Sequence, residues 1–153
     1  MIAANYARHV IDLNRVADLA YIREEAGTLE VGAMTRQRDL EFSPLVRRLC
    51  PLMSEAILQV GHRQTRNRGT LGGSLAHADP AADWLNVMAL LDAEVLVHGT
   101  KGGRRVRASE LANGPLSTVL ADDEIITGVR VPKLSSAAKW SYYKVNRKPG
   151  EFA

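Results

Sequence analysis

The residues best suited to hold a ligand lie between Gly61 and Asp83, in the run GHRQTRNRGTLGGSLAHADPAAD. At its centre, Gly69-Thr70-Leu71-Gly72-Gly73-Ser74 sets two adjacent glycines between two hydroxyls. Glycine has no Cβ and adopts backbone angles that other residues avoid, so a bulky group can approach the main chain there. Successive N–H groups in such a turn form a nest for anionic oxygens, and the hydroxyls of Thr70 and Ser74 are further donors. Arg63, Arg66 and Arg68 raise the positive potential upstream. Phosphate is the group that suits this pattern. Downstream, Asp79-Pro80 reads as an N-cap followed by proline at the first helical position. The spacing therefore predicts an irregular loop over 61–79 and a helix from about Pro80 to Leu91. Asp83 falls in that helix's first turn, where a carboxylate suits the macrodipole and can accept from a ribose or another polar ligand group.

A glycine pair by itself marks nothing more than a turn. Gly102-Gly103 shows this, lying between two strand candidates as an ordinary hairpin loop. The loop at Gly69–Ser74 is not a P-loop, which needs a lysine at its phosphate end, nor a G-x-G-x-x-G dinucleotide fingerprint. Cys50 is the sole cysteine, so no disulfide within the chain and no CxxC site is possible. The histidines at 9, 62, 77 and 98 lack ligand spacing, and no metal site is expected. HRQTRNR is basic, yet aromatic residues make up only 5% of the chain and none interleaves with these arginines, which argues against a nucleic-acid-binding domain.

Several elements must position the loop. Tyr21–Arg23 and Thr28–Val31 flank Glu24-Glu25-Ala26-Gly27 as a hairpin, with Leu29 and Val31 on one face. His9–Leu13 reads as an earlier strand and Asn14–Leu19 as a helical turn. Thr35 is the expected cap of a helix through Leu40, and Ser43-Pro44 of a second. Leu52, Met53, Ala56, Ile57 and Val60 form one apolar helical stripe ending at Gly61, and Trp84, Val87, Met88 and Leu91 form another. Both stripes read as core. Glu94–Gly99 and Arg104–Arg107 read as strands, Ser109 as the cap of a short helix ending at Gly114, and Ile125–Val131 as a strand that stops at Pro132. Trp140–Val145 alternates as in a last strand. The fold class expected is α+β with a largely antiparallel sheet, in one domain spanning 1–153. With 153 residues, 46% hydrophobic and 24% charged, and a net charge of +3, such a domain buries roughly 70% of its unfolded surface. Met1–Asn5 lacks a signal-like pattern and no apolar run nears the ~18 residues of a membrane span, so a cytoplasmic location is expected.

RNRGTLGGSLAHADPAAD closely resembles the second flavin-binding loop of the FAD-binding medium subunits of molybdenum hydroxylases, the family of carbon monoxide dehydrogenase and xanthine dehydrogenase. The likeness extends through Gly32-Ala33-Met34-Thr35, Asp123-Glu124-Ile125-Ile126 and Lys144. It implies the second subdomain of the FAD-binding fold shared with p-cresol methylhydroxylase and vanillyl-alcohol oxidase. By similarity Thr70, Gly72, Gly73 and Ser74 contact the FAD pyrophosphate, although many relatives carry asparagine in place of Ser74. Asp83 matches a carboxylate on the FAD, Ile126 an apolar residue near it, and Lys144 a lysine near the flavin.

The resemblance also implies an earlier loop, roughly Ala-Gly-Gly-x-Ser, before the segment like Ala7–Arg15, and a further domain beyond Ala153. The chain is accordingly expected to be a partial FAD-binding domain. Molybdopterin and [2Fe-2S] clusters are implied on large and small partner subunits, with electrons passing through FAD to an external acceptor. No acid–base or nucleophilic residue is assigned, because the flavin carries the chemistry. The alternative is a truncated remnant that no longer binds FAD and acts as a partner-binding domain.

Overall fold

A computed structural model of the chain describes residues 9–148, 150 and 151. Its sheet begins with β1 (Ile22–Glu25) and β2 (Thr28–Gly32), joined by Ala26-Gly27 at φ 48° and 80°. Two consecutive positive φ values give a tight turn whose twist matches the strands it joins. The turn is shorter than the expected Glu24–Gly27, because Glu24 and Glu25 pair with Leu29 and Thr28.

A helical run follows: α1 (Gln37–Phe42), α2 (Pro44–Leu49) and α3 (Pro51–Ala56), the last prolonged by a 3₁₀ turn over Ile57–Gln59. Ser43 caps α2 as its sequence predicts, accepting from the Val46 N–H at 3.3 Å with Pro44 in the first turn. Thr35 is not the cap of α1. Its hydroxyl instead bonds the backbone of Tyr21, donating to the carbonyl at 2.9 Å and accepting from the N–H at 3.1 Å, and the cap position passes to Arg36.

Next come α4 (Arg63–Arg68), α5 (Leu71–His77) and α6 (Asp83–Leu90). The hairpin β3 (Glu94–Gly99) and β4 (Gly102–Arg107) turns at Thr100-Lys101. It leads to α7 (Ala108–Leu111) and to a small ladder of β5 (Ala112–Gly114) with β6 (Ser117–Thr118). The short helix thus begins before Ser109 and ends before Gly114. β7 (Ile125–Pro132) closes the main sheet, whose order is β1-β2-β7-β3-β4 with every neighbouring pair antiparallel. The α+β class and the antiparallel sheet are as the sequence predicts.

The two halves of the sheet meet through β7, so the first hairpin depends on residues about a hundred positions later. One face is apolar: Leu29 and Val31, Val95 and Val97, and Val129 and Val131 bury against both helical stripes, including fully buried Trp84, Met53 and Met88. The other face carries a charged row in strict register, with Arg23 opposite Glu30, Glu30 opposite Arg130, Arg130 opposite Glu94, and Glu94 opposite Arg107. Oppositely charged cross-strand pairs of this kind favour one register over a slip by one residue.

Three expectations are corrected. First, 61–79 is not an irregular loop, since α5 runs through Gly72 and Gly73 and α4 precedes it. Two helical glycines cost about 1 kcal/mol each, but α5 buries Leu71 and Leu75 completely, and each such burial stabilises by roughly 1.5–3 kcal/mol. Tertiary packing outweighs propensity. Second, α6 begins at Asp83, three residues after Pro80; Asp79 caps only a turn, accepting from the Ala81 N–H at 2.9 Å. Third, His9–Leu13 and Trp140–Val145 are not strands. Neither pairs with a strand among the described residues, and alternation without a paired strand makes no ladder. The helical turn expected at Asn14–Leu19 is confined to Ala17–Leu19.

Candidate functional site

Thr70 is the pivot of the site. Its hydroxyl oxygen caps α5 by accepting from the Gly73 N–H at 3.1 Å, which leaves the hydroxyl proton free to donate. The segment just before α1 holds the start of α5 in place through main-chain bonds. The Leu71 N–H donates to the Thr35 carbonyl at 3.2 Å, the Gly72 N–H to the Ala33 carbonyl at 2.9 Å, and the Gln37 N–H to the Gly69 carbonyl at 2.9 Å.

These bonds separate the two glycines. Gly72 is buried against β2's exit, where an added Cβ would come within 2.5 Å of the Ala33 Cβ. Gly73 is exposed, and an added Cβ there meets only the Thr70 hydroxyl, at 2.8 Å. Neither has positive φ, so the left-handed nest expected from the glycine pair is replaced by a capped helix start.

A cavity of about 590 Å³ opens beside this helix start. Its lining includes Thr70, Gly73 and Ser74 with Arg36 and Arg68, the pair Asp83 and Lys144, and apolar Met34, Val60 and Ala82. Ser74's hydroxyl makes no hydrogen bond among the described residues. Gln37 lines the same wall, almost wholly buried, with Oε1 lacking a partner.

Asp83 is the first residue of α6, and both its carboxylate oxygens are engaged. The Tyr142 hydroxyl donates to Oδ1 and the Lys144 ammonium to Oδ2 at 2.9 Å. Lys144 donates a second time to the Gln59 carbonyl at 3.0 Å, leaving one N–H. Its side chain is only 2% exposed. Burial, reinforced by the adjoining Asp83 carboxylate, pushes the Tyr142 phenol well above its ordinary value. These bonds tie segment 142–144 to the start of α6, and Lys144, Gly150 and Glu151 join the cavity lining.

Of the residues expected at a ligand, the structure brings Thr70, Gly73, Ser74, Asp83 and Lys144 to one cavity. Gly72 lies behind that wall in the packing between α5 and β2, and Ile126 lies in the core opposite Val97 of β3, away from the lining residues. The basic run also divides. Arg66 is structural: it is half-buried, pairs with Glu41 at 2.9 Å and donates to the carbonyls of Val60 and Gly61. Arg68 lines the cavity, and Arg63 does not. Arg36, Gln37 and Asn14 were not foreseen. The one sequence signal for Arg36 and Gln37 was their place beside Gly32-Ala33-Met34-Thr35, since the bridge between Arg36 and Thr70 is a tertiary contact; nothing local marked Asn14. Among the described residues, no helix is long and apolar enough to cross a membrane, and no group of three or more potential metal ligands occurs.

Residues 3–134 match the family model described as the FAD binding domain in molybdopterin dehydrogenase. The carbon monoxide dehydrogenase medium chain of Hydrogenophaga pseudoflava is 39% identical over 145 residues, covering 95% of this chain and 50% of that protein. The nicotine 6-hydroxylase medium subunit of Paenarthrobacter nicotinovorans is 39% identical over 143 residues, again covering 50% of its length. Among solved structures, quinoline 2-oxidoreductase from Pseudomonas putida 86 superposes with a TM-score of 0.89 at 36% identity, covering 93% of this chain and 49% of that one. The chain thus spans about half the length of the curated relatives it matches. With the match spanning residues 3–134, which take in the Thr70 helix and all of β7, the chain belongs to the FAD-binding domain family of the molybdopterin dehydrogenases.

Proposed function

We propose that the cavity beside α5 holds FAD, with the pyrophosphate at Thr70, Gly73 and Ser74 and another polar part of the cofactor reaching Asp83 and Lys144. The observation that carries this reading is the helix start at Thr70, where hydroxyl donors and cationic side chains face one cavity. The residues present suit the cofactor. Gly73 leaves open the surface that a side chain would fill, Ser74 has an uncommitted hydroxyl, and Gln37 has an orphaned amide oxygen in the wall. Gly72 contributes indirectly, by letting α5 approach Ala33 closely enough to aim Thr70.

Each part of the chain then has a task. Thr70 and Ser74 donate to phosphate oxygens, bonds to a charged group that contribute roughly 1.5–3 kcal/mol each. The Lys144–Asp83–Tyr142 link holds segment 140–146 over the cavity and presents one free N–H. Met34, Val60 and Ala82 supply apolar lining that excludes water beside the ligand. FAD supplies the redox chemistry when bound, receiving electrons from iron–sulfur clusters and releasing them to an external acceptor. Those clusters and the molybdopterin centre belong, in this reading, to a small and a large partner subunit, since the relatives are named as medium chains. The whole protein is then the flavoprotein subunit of a molybdopterin-dependent oxidoreductase, working in the cytoplasm.

The test is FAD titration of the full-length protein carrying this chain. Ser74→Ala, which deletes only an uncommitted hydroxyl, should weaken FAD binding about tenfold or more. Gly103→Ala, at the other glycine pair, should leave it unchanged. Equal FAD affinity in Ser74→Ala and the native protein would remove α5 from the site. Absence of FAD binding in the native protein would favour a partner-binding domain instead.

A further inference from the structure

Two arginines stand apart at the Thr70 end of the cavity. Seven described arginines, Arg66 among them, are paired with carboxylates. Arg36 and Arg68, the two that line the cavity, have no carboxylate partner among the described residues. Arg36 stands opposite Thr70 in an isolated antiparallel bridge, and directly opposed residues of such a pair present their side chains on the same face.

Its guanidinium is also held still. One terminal nitrogen donates to the Arg68 carbonyl, the other to Asn14 Oδ1 at 2.6 Å, and Asn14 Nδ2 is itself anchored on Asp12 Oδ1 at 2.6 Å. Both acceptors are neutral, so the charge is oriented without being cancelled. A guanidinium carries five N–H donors, and three remain. The cavity's carboxylates lie differently: Asp83 is matched by Lys144 and Glu151 by Arg147 and Lys148, while Asp79 accepts from the Ala81 N–H. The uncompensated positive charge therefore gathers where Thr70 and Ser74 present their hydroxyls. A planar, pre-oriented guanidinium fits the oxygens of a phosphate better than a mobile lysine does.

We infer that Arg36, aimed by Asn14 and assisted by Arg68, grips the diphosphate of the flavin dinucleotide and makes the cavity select it over the phosphate-free flavin. This rests on the FAD reading above. Arg36 and Arg68 bind directly, and Asn14 is a positioning residue.

The experiment measures dissociation constants of FAD and of riboflavin for the full-length protein at low and high salt. It compares the native protein with Arg36→Gln, Arg36→Lys and Asn14→Ala, with thermal midpoints to show that each is folded. Arg36→Gln should weaken FAD roughly 10- to 100-fold, leave riboflavin unchanged, and flatten the salt dependence of FAD affinity. Arg36→Lys should keep that salt dependence with part of the affinity. Asn14→Ala should weaken FAD several-fold, with no change for riboflavin. FAD affinity and salt dependence in Arg36→Gln equal to the native values would overturn the assignment of Arg36 and leave the FAD site standing. Equal losses for FAD and riboflavin would also overturn it, by showing a structural role. A native protein that binds no FAD would remove the site itself and this inference with it.

Discussion

Adjacent glycines with identical chemistry do different work here, and substitution separates them. At Gly72 a methyl group would lie 2.5 Å from the Ala33 Cβ and 2.8 Å from the Ala33 carbonyl oxygen, where backbone cannot yield easily. Gly72→Ala should therefore destabilise the fold by about 1–3 kcal/mol, the usual range for overpacking, even though alanine is the better helix former. Thermal or denaturant unfolding measures this directly, and an unchanged or raised midpoint would show that α5 does not depend on that approach. The sequence made the site residues legible as types. Thr70, Ser74 and Asp83 stood out as donors and charges, Lys144 only through the family resemblance, and the structure brings all four to one cavity. The division of labour between Gly72 and Gly73 was not legible, because it is decided by Ala33, a residue some forty positions earlier in the chain. Arg36 was missed for the same reason.

At the scale of elements, the charged row across the sheet gives its own pH signature. Glu30 sits at its centre with a side chain 3% exposed, accepting from Tyr21 at 2.8 Å, Arg23 at 2.7 Å and Arg130 at 2.9 Å. Burial works to raise its pKa, but the three donors together outweigh it and hold the carboxyl below the ordinary 4.5. The tyrosine responds in the opposite sense, pushed up to about 12 by burial and then by Glu30. A carboxylate depressed in the folded state contributes stability at pH above the unfolded value and loses it as pH falls through the folded one. The native protein should thus lose stability as pH drops below about 4.5, and Glu30→Gln should flatten that part of the profile. Parallel acid unfolding curves for the two proteins would contradict the ladder's role. The Ser43-Pro44 cap and the apolar stripe over Leu52–Val60 were readable from local spacing, whereas the caps expected at Thr35, Asp79 and Ser109 were not met. The outcome at α5 and at Trp140–Val145 was not, because the first is settled by burial of Leu71 and Leu75 and the second by want of a neighbouring strand.

At the scale of the whole molecule, an antiparallel sheet packs its apolar face on the helices, and the start of α5 shares one cavity with Asp83 and Lys144. Charge around that cavity is uneven, with free cations near Thr70 and a closed ion pair at Asp83. An elongated ligand, anionic at one end, is what such an arrangement orients. The chain also carries its own control, since Gly102-Gly103 lies in the exposed β3–β4 hairpin, away from the cavity. The most direct measurement is amide hydrogen exchange on the full-length protein with and without FAD. The account predicts added protection at 69–75 and 140–146, with none at 99–104. Protection that spared 69–75, or that appeared equally at the β3–β4 hairpin, would contradict it.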